Sequence, residues 1–229
     1  MTVLKLQHCS VDAPPSSFVG FPKLVVLELE HVIMPEDFLQ NLQPECPLLQ
    51  ELRVLHCSRQ EYILNVPSLK LLFIKLSGSG FNITFRHAPV LSVLSLTDGW
   101  TSKNWFALFA SLPELRQLTF GIRSLLLGTS STAQPPSGVI DTLQELLEAE
   151  DRPGVLCCLQ HLEELHIQDS QGARVELDLV RFVMAIAPHL RVISINSAVN
   201  LSSSDKVSEF LSELVSYKRI SRDAVVKYV

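Results

Sequence analysis

The sequence has no long hydrophobic run and lacks the features that mark secreted or membrane proteins. No apolar stretch reaches the roughly 18 residues that a membrane-spanning helix needs, and no basic and then apolar leader opens the chain. The five cysteines are an odd number at irregular spacing, so a disulfide framework is not expected. These absences predict an intracellular protein of the cytoplasm or nucleus.

Positive charge is also scarce. The chain has 19 Lys and Arg against 24 Asp and Glu, which gives a formal net charge of −5. Surfaces that bind nucleic acids or anionic membranes need concentrated basic residues. We therefore expect neither a nucleic acid nor a membrane among the partners.

Motifs for nucleotides, metals and catalysis are missing as well. The nine glycines never form a phosphate-binding loop, so no cofactor is expected. His161 and His166 lack the i, i+4 spacing of helical zinc ligands. Cys157 and Cys158 with His161 would make an incomplete metal site, because the side chains of adjacent residues on a strand point in opposite directions. A free cysteine is more often a small, buried apolar residue. The sequence therefore predicts a protein that is not an enzyme.

What the sequence has in abundance is one short pattern, a proline followed by spaced aliphatic residues. It reads FPKLVVLEL at 21–29 and returns as CPLLQELRV, VPSLKLLFI, APVLSVLSL, LPELRQLTF and APHLRVISI. A period of about 20 to 29 residues carrying L-x-x-L-x-L is typical of leucine-rich repeats. We interpret the one step of 47 residues as two periods with one unit degraded or interrupted. The central aliphatic residues of the copies are Leu4, Leu27, Leu52, Leu72, Leu94, Leu118, Leu165 and Ile193.

The repeat predicts a leucine-rich-repeat solenoid of mixed α/β class. Its curved sheet should be mostly parallel, with about eight or nine strands, and its convex side should be helical or irregular. Segments between 58 and 99 are too short for full helices, so extended or single-turn connections are expected there. The predicted domains are repeats at 1–128, a flexible linker at 129–138 and further repeats at 139–229. Predicted helices cover 34–42, 103–112, 139–150, 176–187 and 205–217.

Two local features complete this prediction. Leu4 and Leu6 occupy strand positions at the start of the chain, so the first repeat should expose an apolar edge unless preceding sequence or a partner covers it. Cys9 and Cys57 fall five residues after the central leucine of their repeats. Repeats of this kind need a small side chain at that turn, so a structural role is expected for both thiols.

The last 75 residues carry a more specific resemblance. CLQHLEELHIQDSQG, then ELDLVRFVMAIAPHLRVISI, then LVSYKRISRDAVVKYV, resemble the C-terminal FBD-type domain of plant F-box proteins with leucine-rich repeats. The repeats at 21–99 are similar to the central units of that family. The family's F-box is expected to be absent here, because Met1 opens directly on a repeat strand.

This resemblance implies a module for protein–protein recognition. It would be the substrate-binding part of an SCF-type ubiquitin-ligase receptor, and it would meet the SCF adaptor only if an F-box is present upstream. An alternative stays open: a non-catalytic interaction or decoy module that is not coupled to ubiquitination.

Strand alternation locates the surface where a partner would bind. Side chains alternate across a strand, so residues between the inward leucines should project onto the concave face. Leu72 and Ile74 are predicted inward and Phe73 outward. A competing interpretation is that loops or the helix at 103–112 cover these residues as core. The predicted partner-binding surface is an apolar patch of Leu55, Leu71, Phe73 and Val93 flanked by Arg53 and Lys75.

Overall fold

The predicted solenoid is present in the computed structural model. The structure describes residues 1–12, 19–35, 37–57, 61–75, 82–97, 105–121, 159–170, 174–197, 212–213 and 224–228. Within these residues nine strands form one sheet in the order in which they follow along the chain, and every neighbouring pair is parallel. The fold class and strand count predicted from the repeat are confirmed. The strands are β1 (Val3–Gln7), β2 (Val26–Glu30), β3 (Glu51–Leu55), β5 (Leu71–Lys75), β7 (Val93–Thr97), β8 (Gln117–Gly121), β9 (Glu164–Ser170), β10 (Val192–Ser197) and β11 (Val225–Tyr228).

Each proline of the repeat lies inside a β-turn that leads into a strand. In the first such turn the Leu24 N–H donates to the Phe21 carbonyl at 3.0 Å, with Pro22 in the second position, where the fixed φ of proline suits the turn. The leucine that closes each turn is buried. Leu159 to Leu162 forms the same turn without a proline, so proline favours this geometry but is not required for it. The equivalent bonds join Leu49 to Cys46, Leu69 to Val66, Leu91 to Ala88, Leu115 to Leu112, Leu162 to Leu159 and Leu190 to Ala187.

A second repeated hydrogen bond sets the register of the sheet. The N–H groups of Gln50 and Glu51 both donate to the carbonyl of Val25, at 2.9 and 3.0 Å. Lys70 and Leu71 bond the carbonyl of Gln50 in the same way. The shared acceptor fixes where each strand begins, so equivalent repeat positions lie side by side. The other shared carbonyls belong to Thr2, Lys70, Ser92, Arg116 and Glu163.

The core consists of two rows of aliphatic side chains that run from strand to strand. The first row contains the central leucines, and Leu27, for example, pairs with Leu52 in the register of β2 and β3. The second row lies two residues further on and includes Phe120, whose ring packs against that of Phe109. Phe109 in turn stacks on the ring of Phe182. Both rows are buried from β2 to β10. Because every repeat packs only on its neighbours, this stacked core stabilises the whole sheet.

The connections behind the sheet differ from repeat to repeat. They include the short helices α1 (Leu42–Glu45) and α2 (Trp105–Ala110), a separate two-stranded parallel sheet of β4 (Glu61–Asn65) and β6 (Asn82–His87), and the longer helix α3 (Arg174–Ile186). The strand pair confirms the extended connections predicted between 58 and 99. Helices α2 and α3 confirm the predictions at 103–112 and 176–187 to within a few residues. The predicted helix at 139–150 and the linker at 129–138 lie outside the described residues, as does most of 205–217.

Two predictions about these connections are wrong. Residues 37–41 form turns, and the helix comes later, at Leu42–Glu45. Pro44 lies inside that helix. It is tolerated there because the N–H group that a proline lacks would have no partner in the first helical turn. The 47-residue step is not two rungs of the main sheet, since β8 pairs directly with β9 and Leu118 lies beside Leu165.

The residue that follows several strands has a left-handed backbone. His8, His31 and His56 have φ values of 50°, 50° and 55°, and Asp169 occupies the equivalent position of a later repeat with φ 56°. The rings of His8 and His31 stack with centroids 4.7 Å apart, and those of His31 and His56 at 5.1 Å. Asp and His tolerate this conformation better than most side chains. β1, β2 and β3 therefore end with a sharp change of direction, while Asp169 makes the equivalent bend inside β9.

The next residue turns inward, which accounts for the small side chains predicted there. Cys57 is buried and Ser170 is 1% exposed, while Cys9, at the end of the sheet, is half-buried. The Cys57 thiol donates to the Leu55 carbonyl at 3.4 Å. Burial raises the pKa of this thiol, so it is less reactive than a free cysteine in water. The structural role predicted for Cys57 agrees with this position.

Gly20 should be required for the turn that enters the second repeat. Its φ is +75°, and an added Cβ would lie 2.3 Å from the Glu45 carbonyl oxygen, close to where the Phe21 N–H donates to that carbonyl at 2.7 Å. We expect Gly20→Ala to lower the free energy of unfolding by about 2 to 3 kcal/mol, measured by urea denaturation. Val19→Ala is the control, because Val19 is 88% exposed and should change stability by less than about 0.5 kcal/mol.

The left-handed position at His31 gives a second stability prediction. His31→Val should destabilise the fold by about 1 to 2 kcal/mol, because a β-branched side chain disfavours positive φ. His31→Asn removes the same ring stacking but tolerates the backbone, so it should cost less than about 1 kcal/mol. Equal losses for the two variants in thermal unfolding would assign the effect to stacking rather than to backbone conformation.

Candidate protein-binding surface

The nine-stranded sheet has one face whose side chains point away from the core, and we call it the open face. It is the face that the sequence predicts to be concave. Each strand contributes two or three outward side chains to it, and the shared register aligns them in rows. The row through Phe73 contains Lys5, Glu28, Arg53, Phe73, Ser95, Thr119, His166, Ser194 and Lys227.

The structure brings the six predicted partner-binding residues together on β3, β5 and β7. Phe73 lies between Arg53 and Ser95 in register, and Leu71 lies between Glu51 and Val93. Leu55 pairs with Lys75 one row further along. The four apolar side chains are half-buried, and Arg53 and Lys75 are exposed. We call the six residues the central patch; its binding of a partner stays a prediction.

Helix α2 does not cover the central patch, which removes one of the competing interpretations. The ring of Phe109 in α2 lies 6.5 Å from that of Phe120. Phe120 points into the core from β8 and is 1% exposed. Because α2 packs on the core side of the sheet, it lies behind the open face.

Arg53 contacts two neighbouring side chains, those of Phe73 and Glu51. Of these three residues, the sequence predicted Arg53 as a charged flank of the patch and Phe73 as part of its apolar centre. Its guanidinium carbon lies 5.0 Å from the centroid of the Phe73 ring, a cation–π distance. Its Nε donates to Glu51 Oε1 at 2.5 Å. Glu51 was missed as an orienting residue, although its position two residues before Arg53 places both on the same face of β3. The pair contributes little stability at such exposure, but it orders a long side chain.

The two sides of the central patch differ in charge. On the β2 side lie Glu28, which pairs with Lys5 at 3.0 Å, and Glu30, which accepts a hydrogen bond from the Gln7 side chain at 2.7 Å. On the β8 side the outward residues are uncharged, and Thr119 is buried even though it lies on the open face. The open face is therefore an apolar centre between an acidic strand and a hydroxyl-bearing region.

The described part of the chain offers this surface rather than a reaction centre. No three His, Cys, Asp or Glu side chains within it converge in a way that could hold a metal ion. His166 and Glu164 form a close pair at 3.1 Å on the open face of β9. Cys157 and Cys158, weighed as metal ligands with His161, lie outside the described residues. No helix among the described residues is both long and apolar enough to cross a membrane.

Comparison with known proteins identifies the repeats. Residues 1–119, just over half of the chain, match the family described as "FBD-associated F-box protein At5g56370, LRR repeats". The chain belongs to this family. The resemblance drawn from the sequence is thereby confirmed.

Two similar proteins come from Arabidopsis thaliana. The F-box/FBD/LRR-repeat protein At1g13570 is 24% identical over 285 aligned residues, which cover all of this chain and 67% of that protein. The putative FBD-associated F-box protein At5g53635 is 30% identical over 108 residues, which cover 42% of this chain and 24% of that protein. No solved structure matches the chain. The repeats and the names of these relatives support a protein-interaction module of the F-box protein type.

The half-buried position of Phe73 gives a stability prediction that separates surface from core. Phe73→Ala should lower the free energy of unfolding by about 1 kcal/mol, because it removes partial burial and the contact with Arg53. Phe120→Ala, the matched change on the core side, should cost about 3 to 5 kcal/mol. Urea denaturation measures both, and equal losses would show that Phe73 is a core residue.

Proposed function

We propose that the central patch binds a protein substrate of an SCF-type ubiquitin ligase, for which this chain is the recognition module. The observation that carries the proposal is the position of Phe73 on the open face, with Arg53 over its ring and Leu71, Val93 and Leu55 around it. Interfaces concentrate their binding energy in aromatic and arginine side chains at the centre of a contact, with charged residues at its rim.

The geometry indicates which partner this patch would accept. Phe73 and its aliphatic neighbours would take an apolar side chain. Arg53 already meets the carboxylate of Glu51, so it presents its remaining donors to a carbonyl or carboxylate of the partner. Glu28 and Glu30 lie beside the patch on β2, where they favour a basic residue of the partner. We infer a peptide segment with an apolar anchor and a basic neighbour.

The link to ubiquitination comes from the family. The relatives are named F-box proteins with FBD and leucine-rich-repeat parts, and this chain carries the repeats. As a recognition module it would contribute no catalysis, and it would act in the cytoplasm or nucleus. Contact with the SCF adaptor would require an F-box upstream of these repeats. A decoy module would bind the same partner through the same patch without leading to its ubiquitination.

The binding prediction uses a partner captured at the patch itself. A photo-reactive amino acid at Thr97, beside the central patch on β7, should crosslink the partner in a cell extract. Phe73→Ala should then weaken the affinity of the identified partner by at least ~2 kcal/mol, about 30-fold. The control is Val192→Ala, because Val192 is half-buried on the same face, four strands away from Phe73. It should change the affinity by less than about twofold. Equal losses of affinity for the two variants would show that the partner does not bind specifically at the central patch.

The cellular outcome separates the receptor from the decoy. Raising expression of the protein from its own gene should shorten the half-life of the partner if the module delivers it to a ligase. A decoy should lengthen that half-life or leave it unchanged. Phe73→Ala should cancel either effect, because both require binding at the central patch.

A further inference from the structure

Two aliphatic side chains are exposed where the proline turns enter the strands of the main sheet. Leu48 precedes the closing leucine of the turn before β3, and Val90 holds the same position before β7. They are 52% and 41% exposed. In the other described turns this position is polar, so the turn itself does not require an aliphatic residue there. The polar residues at this position are Lys23, Ser68, Glu114, His161 and His189.

Leu48 and Val90 stand on either side of the smaller Ser68, which holds the equivalent position before β5. The shared carbonyl bonds of β5 and β7 align the three turns. Neighbouring strands lie about 4.8 Å apart, so the Leu48 and Val90 backbones are separated by about 10 Å. The Ser68 hydroxyl donates to the Leu49 carbonyl at 2.9 Å, so it contacts the neighbouring turn. We call the gap between Leu48 and Val90, with Ser68 at its base, the notch.

Prolines extend the apolar surface on both sides of the notch. Pro47 is exposed, and Pro67 and Pro89 are half-buried. Single exposed aliphatic residues are common on protein surfaces, but a contiguous apolar group with charged neighbours is typical of contact sites. The turns concerned lead into β3, β5 and β7, which have further strands of the sheet on both sides. The notch therefore lies within the repeat array.

The charge next to the notch is positive. Lys70 lies two residues after Ser68 and is exposed. Among the described residues its ammonium group has no carboxylate partner. Glu51, the acidic side chain at the start of β3, accepts a hydrogen bond from Arg53 instead. Lys70 is therefore available to a carboxylate of another molecule.

A second cation lies close to the same turns. Arg86 is exposed near the end of β6, and the Val66 N–H donates to the His87 carbonyl at 2.9 Å, which places this strand end beside the turn of Pro67. The whole chain has a net charge of −5, so two cations at this place are a local exception to its acidic balance. They favour an acidic ligand. A second copy that docked through the same notch would oppose Lys70 with Lys70 and be repelled.

We propose that the notch binds a segment of a partner protein in which an apolar residue lies close to an aspartate or glutamate. The apolar side chain enters between Leu48 and Val90, where it removes apolar surface of both residues from water. The acidic side chain pairs with Lys70, which sets the direction of the segment and rejects basic sequences. Lys70 is followed by Leu71 of the central patch, but the contacts of the notch are its own, so the proposal does not depend on the function proposed above.

A peptide library tests the proposal without the natural partner. Random peptides displayed on phage are selected on the full chain and then depleted on the variant Leu48→Ser/Val90→Ser, whose two changes are at exposed positions and should leave the fold intact. The retained peptides should carry an apolar residue within a few positions of an aspartate or glutamate. Recovery of no peptide that distinguishes the two proteins would overturn the proposal. Retained peptides without an acidic residue would overturn it as well.

One retained peptide, labelled with fluorescein, measures each contact by fluorescence anisotropy. Leu48→Ser, Val90→Ser and Lys70→Glu should each weaken binding at least about tenfold, because each removes a direct contact. Two exposed residues outside the notch provide matched controls, and the same changes there should alter the affinity by less than about twofold. The controls are Ile33→Ser, at the other end of the strands, and Lys227→Glu, on β11.

Substitutions of Ser68 test insertion into the notch. Ser68→Ala keeps the notch open, whereas Ser68→Leu fills it and adds apolar surface. Insertion predicts at least about a tenfold loss for leucine alone, while general apolar contact predicts equal or tighter binding of that variant. In a charge exchange, replacing the acidic residue of the peptide by lysine should restore binding to Lys70→Glu. No recovery would contradict the predicted pairing with Lys70.

Two further outcomes contradict the proposal. Equal losses for the notch variants and the matched controls would indicate nonspecific contact. Sedimentation of the unliganded chain as a dimer that Leu48→Ser/Val90→Ser converts to a monomer would assign the notch to a second copy. Thermal unfolding checks that Ser68→Leu folds, and the exposed Leu48, Lys70 and Val90 give the answer even if it does not.

Discussion

The structure depends on one carbonyl group in each repeat that accepts two N–H groups from the next repeat. Val25 does this for Gln50 and Glu51, and the same bond pair recurs along seven successive strand pairs of the main sheet, from β1 to β10. Because both donors are the residues at which a strand begins, adjacent strands start level with each other. A slip of one residue would exchange inward and outward side chains along a whole strand. This shared acceptor therefore keeps Leu52 beside Leu72 in the core and Arg53 beside Phe73 on the open face.

Because hydrogen bonds fix where the strands lie, the return segments are free to vary. The proline turn and shared carbonyl fix the start of a strand, and a left-handed residue such as His31 ends β1, β2 and β3. Between these points the described chain uses turns with a short helix, a second small sheet, or a longer helix such as α3. In a solenoid each repeat needs only to cover its own inward leucines and those of its neighbours. The long segment between β8 and β9 is tolerated for this reason.

Sequence reasoning succeeded where the physical rule is local. Alternation places Phe73 outward whenever Leu72 and Ile74 are inward, and this needs no knowledge of the neighbouring strands. The contact between Arg53 and Phe73 also needs the register, which depends on a backbone bond that no side chain reveals. Pro44 misled the helix prediction because its effect depends on how far it lies from the start of a helix. The step from Leu118 to Leu165 was wrongly interpreted as two periods because spacing alone cannot separate a degraded or interrupted repeat from a longer connection.

The residues that determine the fold and those on the open face are different sets within each strand. Inward positions are aliphatic or aromatic in every strand of the main sheet from β2 to β10, since the core rows require it. Outward positions change freely: the row through Leu71 contains valine, glutamate and glutamine in other strands. Only the aliphatic core is repeated, so it identifies the family. The proposed binding chemistry lies in what does not repeat, such as an arginine beside a phenylalanine on β3 and β5. The same division explains why the open face can be located from the pattern, while its side chains, on which the fold places no requirement, carry no repeated signal.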